Sequence, residues 1–192
     1  GFAILGGRLG YDGLDDPLFP SEGIVVDVSL QGAAEPVLAA TSFLRGHAFV
    51  GGYLPVGRWI FAARGEAGMI VTDDFDKMPR SLRFFTGGDR SVRGYEYESL
   101  SPENDEGTLI GGKYLLAGGV EAMVPVVDDD CYLAAFVDTG NAYIDPESEL
   151  KTGAGLGVRW RSPVGMVRLD VAQPLDGSDG LPRLHLGLGA AF

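Results

Sequence analysis

The sequence predicts an all-β fold, and more specifically a transmembrane antiparallel β-barrel. Apolar residues alternate with polar or small ones in run after run, which is the period of a strand and not of a helix. The connections between these runs are alternately short and long, as in outer-membrane barrels. The 192 residues include 30 glycines, about twice the usual share of roughly 7%, and glycine-rich strands are common in barrels, where backbones approach closely.

Nine strands are predicted, and each ends where the period of two stops. In the third run, Leu44 and Val50 lie on an apolar face, while Arg45 and His47 lie on the opposite, polar face. The same division recurs in the fourth, fifth, seventh, eighth and ninth runs. The predicted strands span residues 2–11, 23–31, 41–53, 58–69, 110–124, 130–139, 152–161, 165–173 and 183–192.

The polar face separates a barrel from a soluble β-sandwich, which would alternate in the same way. This face is rich in Arg, Glu and Gly, and the whole chain has only three lysines, which fits an enclosed lumen better than a water-exposed sheet. Aromatic residues near strand ends predict a girdle on the apolar face, at the membrane interface: Tyr53, Trp59, Tyr114 and Trp160. A sandwich acting as a soluble binding module is the alternative fold.

The connections set the expected domain organisation. They are short at 54–57, 125–129 and 162–165 and long at 31–40, 70–110, 140–151 and 174–182. Because bacterial single-chain barrels close with an even number of strands, a count of nine predicts a part of a larger barrel. We therefore expect residues 1–192 to form the C-terminal part of a barrel domain, with one long inward-folded loop at about 70–110.

Composition and residue spacing argue against several function classes. The net charge of −12 offers no basic surface for nucleic acid. No apolar run approaches the roughly 18 residues of a membrane-spanning helix. His47 and His185 lie on separate strands without other residues at metal-ligand spacing. We therefore expect a protein that is not an enzyme, with no catalytic residue, metal site or cofactor.

The stretch RFFTGGDRSVRGYEYESLSP, residues 83–102, carries the clearest family resemblance. Its core, Ser91-Val92-Arg93-Gly94-Tyr95, resembles the signature in the extracellular loop of the outer-membrane insertase and two-partner-secretion transporter superfamily. The full stretch is most similar to the TamA-like branch. The resemblance implies sixteen strands in the whole barrel, of which these would be the last nine. It also implies periplasmic N-terminal domains, which we expect to lie outside residues 1–192.

Three further segments resemble the same superfamily in the same order. DDPLFPSEG at 15–23 resembles its periplasmic turn, and FVDTG at 136–140 resembles its Phe-x-Asp-x-Gly strand motif. The ending HLGLGAAF resembles the C-terminal signal read by the barrel assembly machinery, through His185, Gly187 and Phe192. Ala190 departs from that signal, which prefers an aromatic residue there.

The alternation predicts partners for Arg93. Glu121 and Asp138 fall on the polar face of two adjacent strands, and an arginine that loses hydration in a lumen needs carboxylates in good geometry. We predict that the loop folds into the barrel and that Arg93 pairs with both, as the resemblance also implies. The alternative is a salt bridge within the loop itself. Gly94 would allow a tight turn beside Arg93, and Gly87 and Gly88 would relieve crowding at the start of the loop.

The resemblance implies a function in the Gram-negative outer membrane. It implies an assembly factor that helps insert or translocate outer-membrane proteins, including autotransporters. The implied partners are the lipid bilayer, unfolded outer-membrane protein clients and a periplasm-spanning TamB-like protein. The alternative is a polypeptide-secretion pore or passive channel, in which polar-face arginines would favour anions: Arg45, Arg58, Arg64, Arg159, Arg161 and Arg168.

Overall fold

A computed structural model describes residues 4–34, 41–127, 130–145, 148–163, 165–176 and 180–189. These residues form one nine-stranded sheet in which every strand pairs antiparallel with the next along the chain. The strands are β1 Leu5–Asp12, β2 Gly23–Ala33, β3 Phe43–Val56, β4 Trp59–Thr72, β5 Tyr114–Val127, β6 Cys131–Tyr143, β7 Lys151–Ser162, β8 Gly165–Pro174 and β9 Arg183–Leu188. The predicted all-β, antiparallel, nine-stranded fold is confirmed. No helix in the described ranges is long and apolar enough to cross a membrane.

The sheet has an outer face of exposed apolar side chains and an inner face that carries the polar residues. Leu44 and Val50 of β3 are exposed, whereas Glu121 of β5 and Asp138 of β6 are buried. The faces follow the period of two, because successive side chains of a strand point to opposite sides. One predicted girdle residue is on the wrong face: Tyr53 is buried among inner-face residues, since it has the opposite parity to the exposed residues of β3.

Three strand boundaries differ from the prediction for identifiable reasons. Pro55 and Val56 still pair with β4, so the β3–β4 turn is residues 57–58 and not 54–57. Strand β5 begins at Tyr114 and not at residue 110, because Gly112 pairs with Phe84 inside the long loop. Strand β9 ends at Leu188, where Gly189 adopts a φ of 98°; residues 190–192 lie outside the described part of the chain.

Two apolar clusters on the inner face flank a polar middle. The first lies towards the short turns and includes Phe19, Met123 and Tyr132. The second lies towards the long loops and includes Leu115 and Ala142. Along β5 and β6, the carboxylates of Glu121 and Asp138 therefore lie between apolar layers. This position limits their hydration and makes direct ion partners necessary.

The connection between β4 and β5, residues 73–113, is the longest in the described structure. Its base is fixed by Arg83, whose guanidinium donates to the carbonyl oxygens of Phe75, Met78 and Ile110 at 2.9 to 3.2 Å. The same guanidinium lies 4.4 Å from the centre of the Phe75 ring. The loop is therefore an ordered element packed on the inner face, as predicted, rather than a free extension.

Candidate functional site

The tip of the long loop is a tight turn that contains the first part of the signature. The Gly88 N–H donates to the Val92 carbonyl at 3.1 Å, and the Gly87 N–H donates to Ser91 Oγ at 2.7 Å. Gly87 and Gly88 have φ values of 104° and 101°, a conformation that side-chain-bearing residues rarely adopt. Val92 is 0% exposed, so the turn delivers the next residue, Arg93, into a dry environment.

Arg93 lies against both carboxylates that the sequence proposes for it. Its Nε and Nη2 donate to Asp138 Oδ2 and Oδ1 at 2.6 and 3.1 Å, and its backbone N–H also donates to Oδ2, at 3.2 Å. Its Nη1 donates to Glu121 Oε2 at 2.7 Å. The guanidinium lies 3.4 Å from the centre of the Phe136 ring, in cation–π geometry. Burial alone would lower the pKa of Arg93, but the two carboxylates outweigh burial and raise it above its ordinary value.

A second buried arginine, Arg159 of β7, completes the environment of Glu121. Its Nε and Nη2 donate to the two oxygens of Glu121, each at 2.8 Å. Its Nη1 donates to Asp170 Oδ1 of β8 at 2.5 Å, and Arg93 Nη1 reaches Asp170 Oδ2 at 3.2 Å. Arg159 is 0% exposed, so these charge-assisted hydrogen bonds replace its hydration.

A third arginine, Arg64 of β4, joins the barrel wall to the loop tip. Its Nη2 donates to Asp138 Oδ1 at 3.1 Å, and the guanidinium also donates to the backbone carbonyls of Arg90 and Ser91. We call the resulting cluster of three cations and three carboxylates the loop anchor. Its members are Arg64, Arg93, Glu121, Asp138, Arg159 and Asp170.

The backbone after Arg93 approaches β7 and β8 very closely. Gly94 has a φ of 99° and packs on the Gln173–Pro174 peptide of β8, where an added Cβ would lie 3.0 Å from the Gln173 carbonyl carbon. An added Cβ on Gly153 of β7 would lie 1.9 Å from the Arg93 carbonyl oxygen. Both positions therefore require glycine for the loop to reach this depth.

The last residue of the signature core is fixed by different contacts. The Tyr95 hydroxyl donates to the Thr152 carbonyl of β7 at 3.2 Å. Burial, and secondarily the Asp176 carboxylate, raise the pKa of Tyr95 above its ordinary value. Tyr95 therefore remains a neutral hydrogen-bond donor at any physiological pH.

The proposed C-terminal signal residues are only partly described. His185 of β9 points inward and is 6% exposed. Its Nε2 accepts a hydrogen bond from the Gly94 N–H at 3.0 Å, and its Nδ1 contacts the Asp89 carboxylate. An added Cβ on Gly187 would lie 2.8 Å from the Arg168 guanidinium. Phe192 lies outside the described residues.

The sequence did not identify Arg159, Asp170 and Arg64 as partners of the signature. The alternation of the strands does place all three residues on the polar face, which makes them candidates to contact the loop. The alternation does not show how far the loop descends into the barrel, so it could not place these residues beside Arg93.

Within the described ranges, no group of His, Cys, Asp and Glu residues could hold a metal ion, and the carboxylates of the loop anchor are occupied by arginines.

Five of the six arginines proposed to line an anion pore contact protein groups. Arg45 donates to the Leu82 carbonyl at 3.0 Å, and Arg161 lies 4.3 Å from the Phe19 ring centre. Arg58 lies in the β3–β4 turn and donates to the Pro125 carbonyl at 2.9 Å. Arg64 and Arg159 belong to the loop anchor. These contacts give no support to an anion-selective path.

Comparison with known proteins identifies the family. A model described as the Omp85 superfamily domain matches residues 3–192, almost the entire chain. The chain belongs to the Omp85 superfamily. As a member, it forms a segment of a β-barrel in the Gram-negative outer membrane.

Two relatives named as assembly factors share part of the sequence. The chain is 34% identical, over 129 residues, to "Outer membrane protein assembly factor BamA" of Nitratidesulfovibrio vulgaris (strain ATCC 29579 / DSM 644 / CCUG 34227 / NCIMB 8303 / VKM B-1760 / Hildenborough); the match covers 63% of this chain and 16% of the relative. It is 30% identical, over 105 residues, to the protein of the same name from Neorickettsia risticii (strain Illinois), covering 48% of this chain and 14% of the relative. The chain thus corresponds to a small fraction of each relative's length.

A solved structure shares the fold. The crystal structure of BamA from Haemophilus ducreyi lacking POTRA domains 1-3 superposes with a TM-score of 0.76 at 19% identity. The match covers 96% of this chain and 40% of that chain. The nine strands and their order therefore correspond to part of an Omp85 barrel.

Proposed function

We propose that this chain is part of an outer-membrane protein assembly factor, which inserts or translocates other outer-membrane proteins. The observation that carries the proposal is the buried attachment of the signature loop to three strands of an Omp85 barrel, through the ion pairs of Arg93 with Glu121, Asp138 and Asp170. Two relatives named as assembly factors support it. The activity is non-enzymatic, because positioning strands and lipid requires no catalytic residue.

The proposed mechanism uses a fixed loop and a weak last strand. Within the described part of the chain, β9 has six residues, compared with 14 in β3, β4 and β5, so the described part forms fewer backbone hydrogen bonds with its neighbour. Gly187 within β9 weakens the strand further, since glycine adds no cross-strand packing. A weakly paired β9 would permit lateral opening towards the bilayer, where a client strand would enter.

The test is complementation in the source bacterium after depletion of the full-length parent protein. Wild-type protein should restore the folded fraction of other outer-membrane barrels, as read from heat-modifiable electrophoretic mobility. Arg93→Glu should fail, although the variant is inserted in the membrane. The charge-matched control Arg90→Glu, at an exposed residue of the same loop, should complement. Failure of the wild-type protein to restore this folded fraction would contradict the proposal, and full complementation by Arg93→Glu would show that assembly does not depend on the loop attachment.

We further propose that the parent protein acts in the TamA-like manner, on autotransporters and with a periplasm-spanning TamB-like partner. The support is the extended stretch FFTGGDRSVRGYEY, residues 84–97, which resembles that branch. Depletion should then reduce surface display of an autotransporter more than folding of a general porin. Co-purification of a periplasm-spanning protein with the full-length parent is the second readout. An equal defect in both clients would favour a general assembly role.

A further inference from the structure

The signature loop holds the last strand as well as the barrel wall. The Gly94 N–H donates to His185 Nε2 at 3.0 Å, and the Asp89 carboxylate contacts Nδ1 of the same ring. Because Nε2 accepts a hydrogen bond, the ring proton is on Nδ1 and is donated to Asp89. His185 is thus a bridge between two points of the loop. We call these three residues the β9 contact.

A second, more exposed pair joins the same two elements. Arg183 Nη1 of β9 donates to Glu96 Oε1 of the loop at 2.9 Å. The side chains are 41% and 66% exposed, so solvent screens this pair and it adds little stability. His185, which is 6% exposed, is therefore the main attachment of β9 to the loop.

The β9 contact adjoins the loop anchor in both the chain and the sheet. Gly94 directly follows Arg93, so displacement of one backbone position moves the other. Asp170, which contacts Arg93 at 3.2 Å, is also the cross-strand neighbour of His185. Among the described residues, β9 forms six register pairs with β8, and the loop supplies a further attachment for this strand.

We propose that His185 is a positioning residue that couples the seating of the signature loop to the position of β9. Movement of the loop away from the inner face and loosening of β9 from β8 then occur together. Neither element can move far without breaking the His185 hydrogen bonds. The consequence for client assembly rests on the proposed function. The coupling itself is a property of the barrel and can be measured without any client.

The test is hydrogen–deuterium exchange with mass spectrometry on the full-length parent protein in lipid nanodiscs, following peptides over residues 91–97 and 183–188. His185→Leu removes both ring contacts and should increase exchange in both segments by about tenfold, since a buried N–H then loses its acceptor. His185→Gln retains an acceptor near the Nε2 position and should restore slow exchange at Gly94. Unchanged loop exchange in His185→Leu would overturn the coupling.

Reciprocity gives a second, loop-side test. Asp89 is half exposed, with a side-chain accessibility of 48%, so Asp89→Asn preserves the fold while weakening the contact with His185. Coupling requires that this loop substitution increase exchange in β9. The matched control is Leu184→Ala on the outer face of β9, which should increase exchange in β9 and leave the loop unchanged. If Asp89→Asn leaves β9 exchange at the wild-type rate, the inference is wrong.

Client assembly separates this inference from the proposed function. Variants that show coupled exchange should also fold fewer client barrels in the complementation assay. Coupled exchange with normal client assembly would support the coupling and show that client assembly does not depend on it. Failure of the wild-type protein to restore client folding would contradict the proposed function and leave the coupling intact. Uncoupled exchange would contradict the inference whatever the assembly result.

Discussion

Arg93 and Arg159 share the carboxylate of Glu121. Arg159 donates to both of its oxygens at 2.8 Å, while Arg93 donates to Oε2 at 2.7 Å. Two buried cations this close are tolerated because Asp138 and Asp170 supply further negative charge. The loop residue therefore enters a site whose geometry the strands have already fixed through Arg159.

Removing the charge of Arg93 should destabilise the barrel strongly. Arg93→Leu removes the guanidinium that donates to both oxygens of Asp138. Breaking a buried ion pair by deleting one member lowers the free energy of unfolding by about 3 to 5 kcal/mol. The free energy of unfolding of the full-length protein, measured by urea titration in detergent, should fall by that amount. Arg90→Leu, at an exposed position of the same loop, should change it by less than about 0.5 kcal/mol.

Reversing the charges tests the pairing itself. Arg93→Glu should block loop seating, and Asp138→Arg in the same chain should restore part of it. Rescue is expected to be incomplete, because Asp138 also accepts a hydrogen bond from Arg64. In the double variant, the new arginine side chain at position 138 would lie beside Arg64. Tryptic cleavage of the loop in intact membranes reports seating. No protection in the double variant beyond that of Arg93→Glu would contradict the pairing.

Arg159 and Arg93 should be energetically coupled through Glu121. Arg159→Leu alone should destabilise the protein, since Glu121 then retains one cation in place of two. The loss in Arg93→Leu/Arg159→Leu should differ from the sum of the single losses by about 0.5 to 3 kcal/mol, the range for residues in one network. Additive losses in the same urea titrations would show that the two arginines act independently.

The inner-face position of Glu121 and Asp138 was predictable, because a period of two fixes the face of every residue in a strand. Their distance from Arg93 was not implied by periodicity. It depends on how far a 41-residue connection, 73–113, descends between the strands. The resemblance supplied that information, and the contacts of Arg93 with both carboxylates agree with it.

Asp170 illustrates what a strand pattern does not contain. Asp170 is paired across the sheet with Gly157 and not with Arg159. Its carboxylate reaches Arg159 because residue 157 has no side chain; an added Cβ there would lie 1.7 Å from Asp170 Oδ1. The contact therefore depends on the register between β7 and β8, which a single sequence does not give. The girdle prediction for Tyr53 is wrong for a simpler reason: its odd position in β3 places it on the inner face, opposite to the exposed residues of the strand.

Gly153→Ala should displace the loop without altering any charge. The added Cβ would lie 1.9 Å from the Arg93 carbonyl oxygen, so the backbone at Arg93 must move outwards and its bonds to Asp138 must lengthen. Loop cleavage by trypsin should increase, and thermal stability should fall. Gly7→Ala is the matched control, because an added Cβ on this strand glycine meets nothing within 4 Å. Wild-type behaviour of Gly153→Ala would contradict the close approach.

Asp15, in the connection between β1 and β2, should give the fold an acid-sensitive turn. Burial would raise its pKa, but the hydroxyl and amide of Ser21 and the amide of Glu22 donate to the carboxylate at 2.6 to 3.0 Å and lower the pKa from 3.8 to about 2. Because the folded pKa lies below the ordinary value, the stabilisation is fully present above about pH 4 and is lost as the pH falls towards 2.

Thermal unfolding of wild type and Asp15→Asn between pH 2 and 6 tests this turn. The melting temperature of wild type should exceed that of the variant above about pH 4, and the difference should shrink as the pH approaches 2, since the amide side chain does not titrate in this window. The difference will be modest because Asp15 is exposed. Asp105→Asn, which removes one exposed carboxylate from the long loop, controls for net charge. A difference that stays constant with pH would show that Asp15 stabilises the turn through hydrogen-bond geometry alone.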